Sequence, residues 1–289
     1  MSSTAPKGWT PTGPASGPSL TPYFFIMFGM SAGLASIIVL LAELRDQLGF
    51  SETGIGLAVG SGFGAAFVAC LVMAPHADRG RAPAMLRAGL ALAVAGMVLL
   101  AVGQELWHYV AGRIVFGFAL GTAGPAARRT VIVADPANLG RNIGRLGAWD
   151  VGGFVAGPMI AAGLTAVGGF RFTFWTMAGA LSLLLPVAFR AQPDVAAQDQ
   201  ERLGLRGLLR IRRLIGAFFM VAAYFVFIGA FEAVWILEMD TRGASRVVLG
   251  VSLTIGALPI ALLSPLGGTL AQRSGARPLA VGSLAVIPP

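Results

Sequence analysis

The sequence predicts an all-α, polytopic bundle of membrane-spanning helices, and three observations carry that prediction. Apolar residues make up 56% of the 289-residue chain and charged residues only 12%, about half the roughly 25% of a soluble globular protein. So few polar side chains cannot cover a water-facing surface. Apolar runs recur along the whole chain, each near the ~20 residues that a helix needs to cross a ~30 Å hydrocarbon core. The arginines punctuate those runs instead of gathering into a patch. Forty glycines, in addition, suit helices that pack backbone against backbone in lipid.

Residues 1–20 are rich in Pro, Ser, Thr and Gly without periodicity, which predicts a disordered tail. The tail is not a secretory signal. Lys7 is its one basic residue, and the apolar segment that follows exceeds the ~7–15 residues of a signal core. Spanning segments follow at 21–43, 53–75, 83–103, 107–134, 143–167, 170–190, 213–238 and 246–270. A ninth begins at Pro278 and stops about ten residues later at Pro288–Pro289. The one long polar connection, 191–212, divides a six-helix bundle over 21–190 from a partial second bundle over 213–289.

Arginine and lysine placement sets the orientation, because basic residues stay cytoplasmic. With the N-terminus inside and sides alternating, 16 of the 21 basic residues fall on the cytoplasmic face. The other five are Arg45, Arg113, Arg171, Arg242 and Arg246. A missed helix would scramble this asymmetry. Trp107, Trp175 and Trp235 lie near segment ends, as an interfacial belt requires. The stretch 201–213, ERLGLRGLLRIRR, alternates leucine with arginine. It reads equally as a helix lying on anionic lipid and as a solvated linker that enforces topology.

Several chemistries are excluded. The net charge of +8 comes with no stacking aromatics among the arginines, so the chain is not expected to bind nucleic acid. His76 and His108 are isolated and lack metal-ligand spacing. Cys70, the only cysteine, sits in an apolar run and reads as a small buried hydrophobe. Gly54, Gly56 and Gly60 have the wrong spacing for a dinucleotide loop and stand in a spanning helix, so they read as packing glycines. No nucleophile–base pair or phosphate loop is present, and no enzymatic activity is expected.

An internal repeat runs through the chain. Gly49, Ser51 and Gly56 match Gly243, Ser245 and Gly250 at an offset of 194 residues. Ala77 and Arg79 match Ala271 and Arg273 at the same offset, and Gly80 and Pro83 match Gly275 and Pro278 at 195. The first two segments thus resemble the seventh and eighth in the same orientation. Parallel repeats about an axis along the membrane normal are a transporter architecture, with the substrate cavity between the halves.

The second copy, Gly268-Thr-Leu-Ala-Gln272-Arg273-Ser-Gly275-Ala-Arg277, resembles the loop signature of the major facilitator superfamily, Gly-x-Leu-Ala-Asp-Arg-x-Gly-Arg-Arg, and departs from it at Gln272 and Ala276. The first copy keeps Asp78, Arg79, Gly80 and Arg81 and departs at Ala74, at His76 and by a one-residue deletion. A carboxylate and arginines at a helix end pair across a bundle, while glycine and proline turn the chain. The resemblance implies that this network latches the outward-open state together with an acid ending the fourth helix, here Asp135. The alternative is that these charges act only as topology signals.

Arg113 lies six residues past Trp107, about 9 Å of helix rise into the apolar zone. A cation there must face a cavity or partner, or else snorkel to the interface. It resembles the helix-four arginine that the family associates with proton coupling or substrate charge. Gly153, Gly157 and Pro158 resemble the Gly-x-x-x-Gly-Pro signature of proton-coupled exporters, and read equally as a packing face with a proline bend. Glu232, in the apolar run of the seventh segment, is the strongest candidate for a switchable proton site, and Asp150 the second. No acid precedes Glu43 in the first segment, so the helix-one carboxylate of some drug exporters is absent.

The sequence therefore predicts a monomeric, proton-coupled exporter of small hydrophobic or amphipathic molecules in the bilayer, with no cofactor beyond the proton gradient. An importer of a small metabolite or sugar, a non-transporting fragment and a lipid enzyme are the alternatives. Twenty arginines to one lysine point to a GC-rich bacterial source and so to the bacterial inner membrane. The 194-residue offset also predicts that a full second half would carry three further helices beyond the ninth segment.

Overall fold

The computed structural model describes residues 19–189 and 246–275, with isolated positions between 207 and 243 and at 278, 279 and 282. Helices α1 (Thr21–Leu48), α2 (Glu52–His76), α3 (Ala82–Val102), α4 (Leu106–Ala134), α5 (Leu139–Phe189) and α6 (Arg246–Ser274) are joined by a π turn at Ala77–Arg81 and a 3-10 turn at Pro136–Asn138. Among the described residues there is no strand. The eighth predicted segment is α6, while most of the 191–212 connection and of the seventh segment, including Glu232, lies outside the described residues, as does Arg277.

Local chemistry explains most of the helix ends. Ser51 starts α2, its hydroxyl accepting from the Gly54 N–H at 3.1 Å. Glu105 and His108 cap α4 reciprocally, each side chain serving the other's backbone N–H. Proline in the first turn starts α3, where its missing N–H costs nothing.

Three helix ends move by four or five residues, at Leu48, Leu139 and Ser274, while the expected break between 167 and 170 is kept as a turn. α1 runs to Leu48, five residues past the expected 43, and the fifth and sixth segments form one continuous run, α5. Its 51 residues would extend about 76 Å if straight, more than two hydrocarbon thicknesses. It is not straight. Gly169 has φ 80° and ψ 174°, a conformation open to glycine alone. The Thr173 hydroxyl lies 2.8 Å from that of Thr165 and 3.4 Å from the Ala161 carbonyl. Eight and twelve residues of straight helix would separate them by about 12 and 18 Å. The run is a hairpin, turned within a single residue.

Glycines set the packing. A Cβ on Gly153 would lie 2.2 Å from the Phe28 carbonyl oxygen, and one on Gly157 2.4 Å from that of Ala32. α5 therefore crosses α1 backbone to backbone, and the two run parallel, since 28 pairs with 153 and 32 with 157. Gly117 and Gly121 press in the same way on Gly62 and Ala66 of α2, so α2 and α4 are parallel. Gly89 meets Ala119 and Ala123 while Gly96 meets Gly112 and Phe116, so α3 and α4 are antiparallel. Gly140 meets Gly268 and Gly144 meets Ser264, so the first arm of α5 and α6 are antiparallel. These directions are those that up-and-down alternation of the predicted segments requires.

Tyr109, Phe116, Phe174, Met27, Met97 and Leu90 fill the space between the helices. Large apolar side chains also face outward, including Leu57, Phe67, Leu71 and Leu183. In water such a surface would drive aggregation; in a bilayer it is the solvated face.

Candidate functional site

Two regions carry the polar chemistry. The first is a cavity of about 180 Å³ walled by Met27 of α1, Ala66 and Cys70 of α2, Leu120, Gly121, Gly124, Pro125 and Arg128 of α4 and Asp150 of α5. Asp150 accepts a hydrogen bond from the Ser31 hydroxyl and pairs with Arg128 at 3.4 Å. The arginine is half exposed, and an ion pair so long and so wet contributes at most about 1 kcal/mol. The parallel α1·α5 and α2·α4 crossings position the cavity. Gly153 and Gly157 bring α5 against α1, and Gly121 brings α4 against Ala66 and Cys70. Pro158 follows one residue after the α1 contact and is only partly buried.

The structure brings Asp150 together with Arg128, Ser31 and Cys70, none of which the sequence singles out as its partner. Arg128 reads in sequence only as a topology signal, and Ser31 lies 119 residues away with no motif around it. Cys70 corrects an expectation: it is exposed and lines the cavity instead of being buried. The apolar run that predicts burial for it has one face on lipid or cavity, and Cys70 stands on that face.

Arg113 lies about 22 Å of helix rise from Arg128 along the same face of α4. It is 1% exposed. Its Nη1 donates to the Leu34 carbonyl at 2.9 Å, and its guanidinium stands 5.9 Å from the Phe63 ring centroid. Gly62 makes the room, since a Cβ there would lie 2.9 Å from Nε. Among the described residues, Nε and Nη2 have no partner. A buried guanidinium with no counter-charge among those residues is an expensive feature, several kcal/mol before relaxation.

The second region is the end of the bundle where the π turn, the α4–α5 turn and the end of α6 meet. Gly80 takes φ 76° and turns α2 into α3. The one-residue deletion in this copy therefore leaves the turning glycine in place. Asp78 approaches Arg129 at 3.9 Å, and Arg79 and Arg81 complete the turn. Asp135 accepts from the backbone and side-chain amides of Asn138 and from Asn142 at 2.9 Å. The amides of Asn138 and then Asn142, with Arg141 adding least, hold its carboxyl below the usual range. The Asp135-Pro-Ala-Asn138 pattern, an acid before a proline-led turn, is the sequence signal for this cap.

Across this turn lies the end of α6. Gly140 and Gly268 touch through their backbones: a Cβ on either would lie within 2.1 Å of the other's carbonyl oxygen. Gln272 then reaches over the turn. Its Oε1 accepts from the Gly140 N–H at 2.7 Å, and its Nε2 donates to the Ala137 carbonyl at 2.9 Å. Arg273 is exposed, and Gly275 takes φ 87°.

The repeat is visible in the backbone. Gly49 and Gly243, matched in sequence, have φ 69° and 70°; Gly80 and Gly275 have 76° and 87°. Two of the matched pairs thus share the left-handed conformation, which only Gly169 also adopts among the described glycines.

Apolar helices crossing through glycines, a membrane-facing exterior, an internal cavity with a weak ion pair and a doubled loop together define a multi-pass membrane transport protein. The chain matches the Major Facilitator Superfamily over residues 23–287 and belongs to it. It is therefore a secondary membrane transporter by family, and proteins of this family handle small molecules within the bilayer. Its structure is similar to the crystal structure of the human organic anion transporter MFSD10 (TETRAN), with a TM-score of 0.61 and 19% identity over 86% of this chain and 71% of that one. No curated protein sequence matches the chain.

Proposed function

We propose that this protein is a proton-coupled exporter of small hydrophobic or amphipathic molecules, with its N-terminus in the cytoplasm of a bacterial cell, working as a monomer by rocking of two bundles divided at 191–212. The observation that carries this reading is Asp150. It faces the cavity, and only a hydroxyl and a long, half-exposed ion pair hold it. A carboxylate so placed exchanges a proton for a substrate contact as access alternates. Glu232 is assigned the same role in the second bundle. The contacts of Asp78, Asp135, Gly268 and Gln272 form the cytoplasmic gate, and the proton gradient supplies the driving force. In proteoliposomes with an imposed pH gradient, Asp150→Asn and Glu232→Gln should each lower proton-driven efflux by at least tenfold while leaving counterflow exchange measurable. Full proton-driven efflux in either variant removes that residue from the mechanism.

Arg113 favours a second reading of the substrate. Its two unpartnered nitrogens suit an anionic group on the cargo, and the organic anion transporter of similar fold is consistent with this. Transport competed by anionic but not by isosteric neutral amphiphiles, in the wild type and not in Arg113→Gln, would support it.

A further inference from the structure

The family's loop signature carries an acid where this chain has Gln272, so an amide here makes contacts that an ionised acid would not. Its amide uses both ends: the oxygen accepts from the Gly140 N–H at 2.7 Å and the nitrogen donates to the Ala137 carbonyl at 2.9 Å. Both partners are main-chain atoms, 132 and 135 residues away in sequence. They lie on the turn that ends at the first residues of α5, and the contact of Gly268 with Gly140 sets the clasping distance. A carboxylate could accept from Gly140, but when ionised it would set negative charge against the Ala137 carbonyl. Only an amide, or a protonated acid, satisfies donor and acceptor at once.

We propose that Gln272 is an uncharged, two-ended clasp that holds α6 to the α4–α5 turn and makes closure of this gate independent of pH. This rests on the reading of the chain as an alternating-access transporter and specifies how its gate is held. The charged groups on the elements that meet here are Asp135, Arg141 and Arg145 on the turn and α5, Asp78, Arg79 and Arg81 at the neighbouring π turn, Arg128 and Arg129 near the end of α4, and Arg273 beside Gln272 itself. Asp135, kept below the usual carboxylate range by Asn138 and Asn142, stays ionised at neutral and mildly acidic pH. It adds no titration to the clasp and would repel an acid at 272.

Cys70 provides the reporter. It is the only cysteine, and it is exposed and lines the cavity. The experiment labels Cys70 in the full chain, reconstituted in vesicles, with a membrane-impermeant maleimide added to the gate side between about pH 4.5 and about pH 8. Each rate is normalised to that of the SDS-unfolded chain at the same pH. The wild-type rate should be flat with pH. Gln272→Ala, which loses both hydrogen bonds, should label on the order of tenfold faster at every pH. Gln272→Glu should move toward the wild-type rate at the acid end and approach Gln272→Ala at the alkaline end. The sign follows from linkage. The closed gate favours the protonated acid and raises its pKa above the usual ~4.3, so closure is supported below that value and lost as pH rises through the raised one. A Gln272→Glu profile as flat as the wild type, a wild-type rate that itself changes with pH, or unchanged labelling in Gln272→Ala overturns the proposal. Efflux measured on the same vesicles separates the two levels. Loss of the transport reading leaves efflux absent with the labelling pattern intact, whereas failure of the clasp changes the labelling and leaves wild-type efflux untouched.

Discussion

The two copies of the repeated loop have the same backbone turn and opposite chemistry. In the first, Asp78 reaches Arg129 of α4 at 3.9 Å, an exposed contact inside one half. In the second, the matched Gln272 holds main-chain atoms of the α4–α5 turn, and the glycine one turn earlier lies backbone to backbone on Gly140. Position 74, which the offset matches to Gly268, is alanine. The difference teaches that the turn and the grip are separable. The left-handed glycine is common to both loops, and the side chains around it are free to build a weak pair in one copy and a close-packed joint in the other.

The largest effect should come from the joint. Gly268→Ala places a methyl about 2.0 Å from the Gly140 carbonyl oxygen, where no flexible side chain can give way. The expected cost is about 3 kcal/mol, read as a fall in thermal stability in detergent, with faster hydrogen exchange over 136–144. Ala74→Gly in the first copy should change little. Equal effects at the two positions would erase the contrast.

A middle-sized effect sharpens the shared element. Gly80→Ala and Gly275→Ala each force a Cβ into positive φ, at a cost of roughly 1–2 kcal/mol. The two variants should lose similar thermal stability, because the turn is the part that the copies share. A loss at only one of them would show that the turns are not equivalent.

The smallest effect belongs to the ion pair. Asp78→Asn should shift stability by less than about 1 kcal/mol, and by less still in high salt, because Asp78 is exposed and its contact with Arg129 is long. A loss as large as that of Gly268→Ala would move the weight of the gate to the first copy.

Most of the fold was legible because its signals are local. Segment lengths follow from hydrocarbon thickness, and their ends from Ser51, Glu105 and the positive-φ glycines. The break expected between 167 and 170 stands at Gly169, whereas the end of α1 at Leu48 was missed because the helix continues past the apolar run through Glu43, Arg45, Asp46 and Gln47. The loop network was legible as a motif, but the contacts its described members make are with other residues: Asp78 with Arg129, Asp135 with Asn138 and Asn142, and Gln272 with Gly140 and Ala137. The cavity was not legible. Asp150 read as the weaker of two acids, Arg128 as a topology signal, Cys70 as core and Ser31 as nothing, since their proximity depends on how α1, α2, α4 and α5 cross.

The sequence by itself determined the bundle, the alternation of its helices, the repeat and the family, because composition, periodicity and left-handed glycines act within a turn or a single span. Only the tertiary structure decided what each glycine approaches, that Arg113 is buried against Gly62 with two nitrogens unpartnered, that Asp150 faces a cavity, and that Gln272 grips a backbone turn. Those outcomes depend on crossings between helices far apart in the chain, where approach is limited by a missing Cβ and settled by which carbonyl stands opposite.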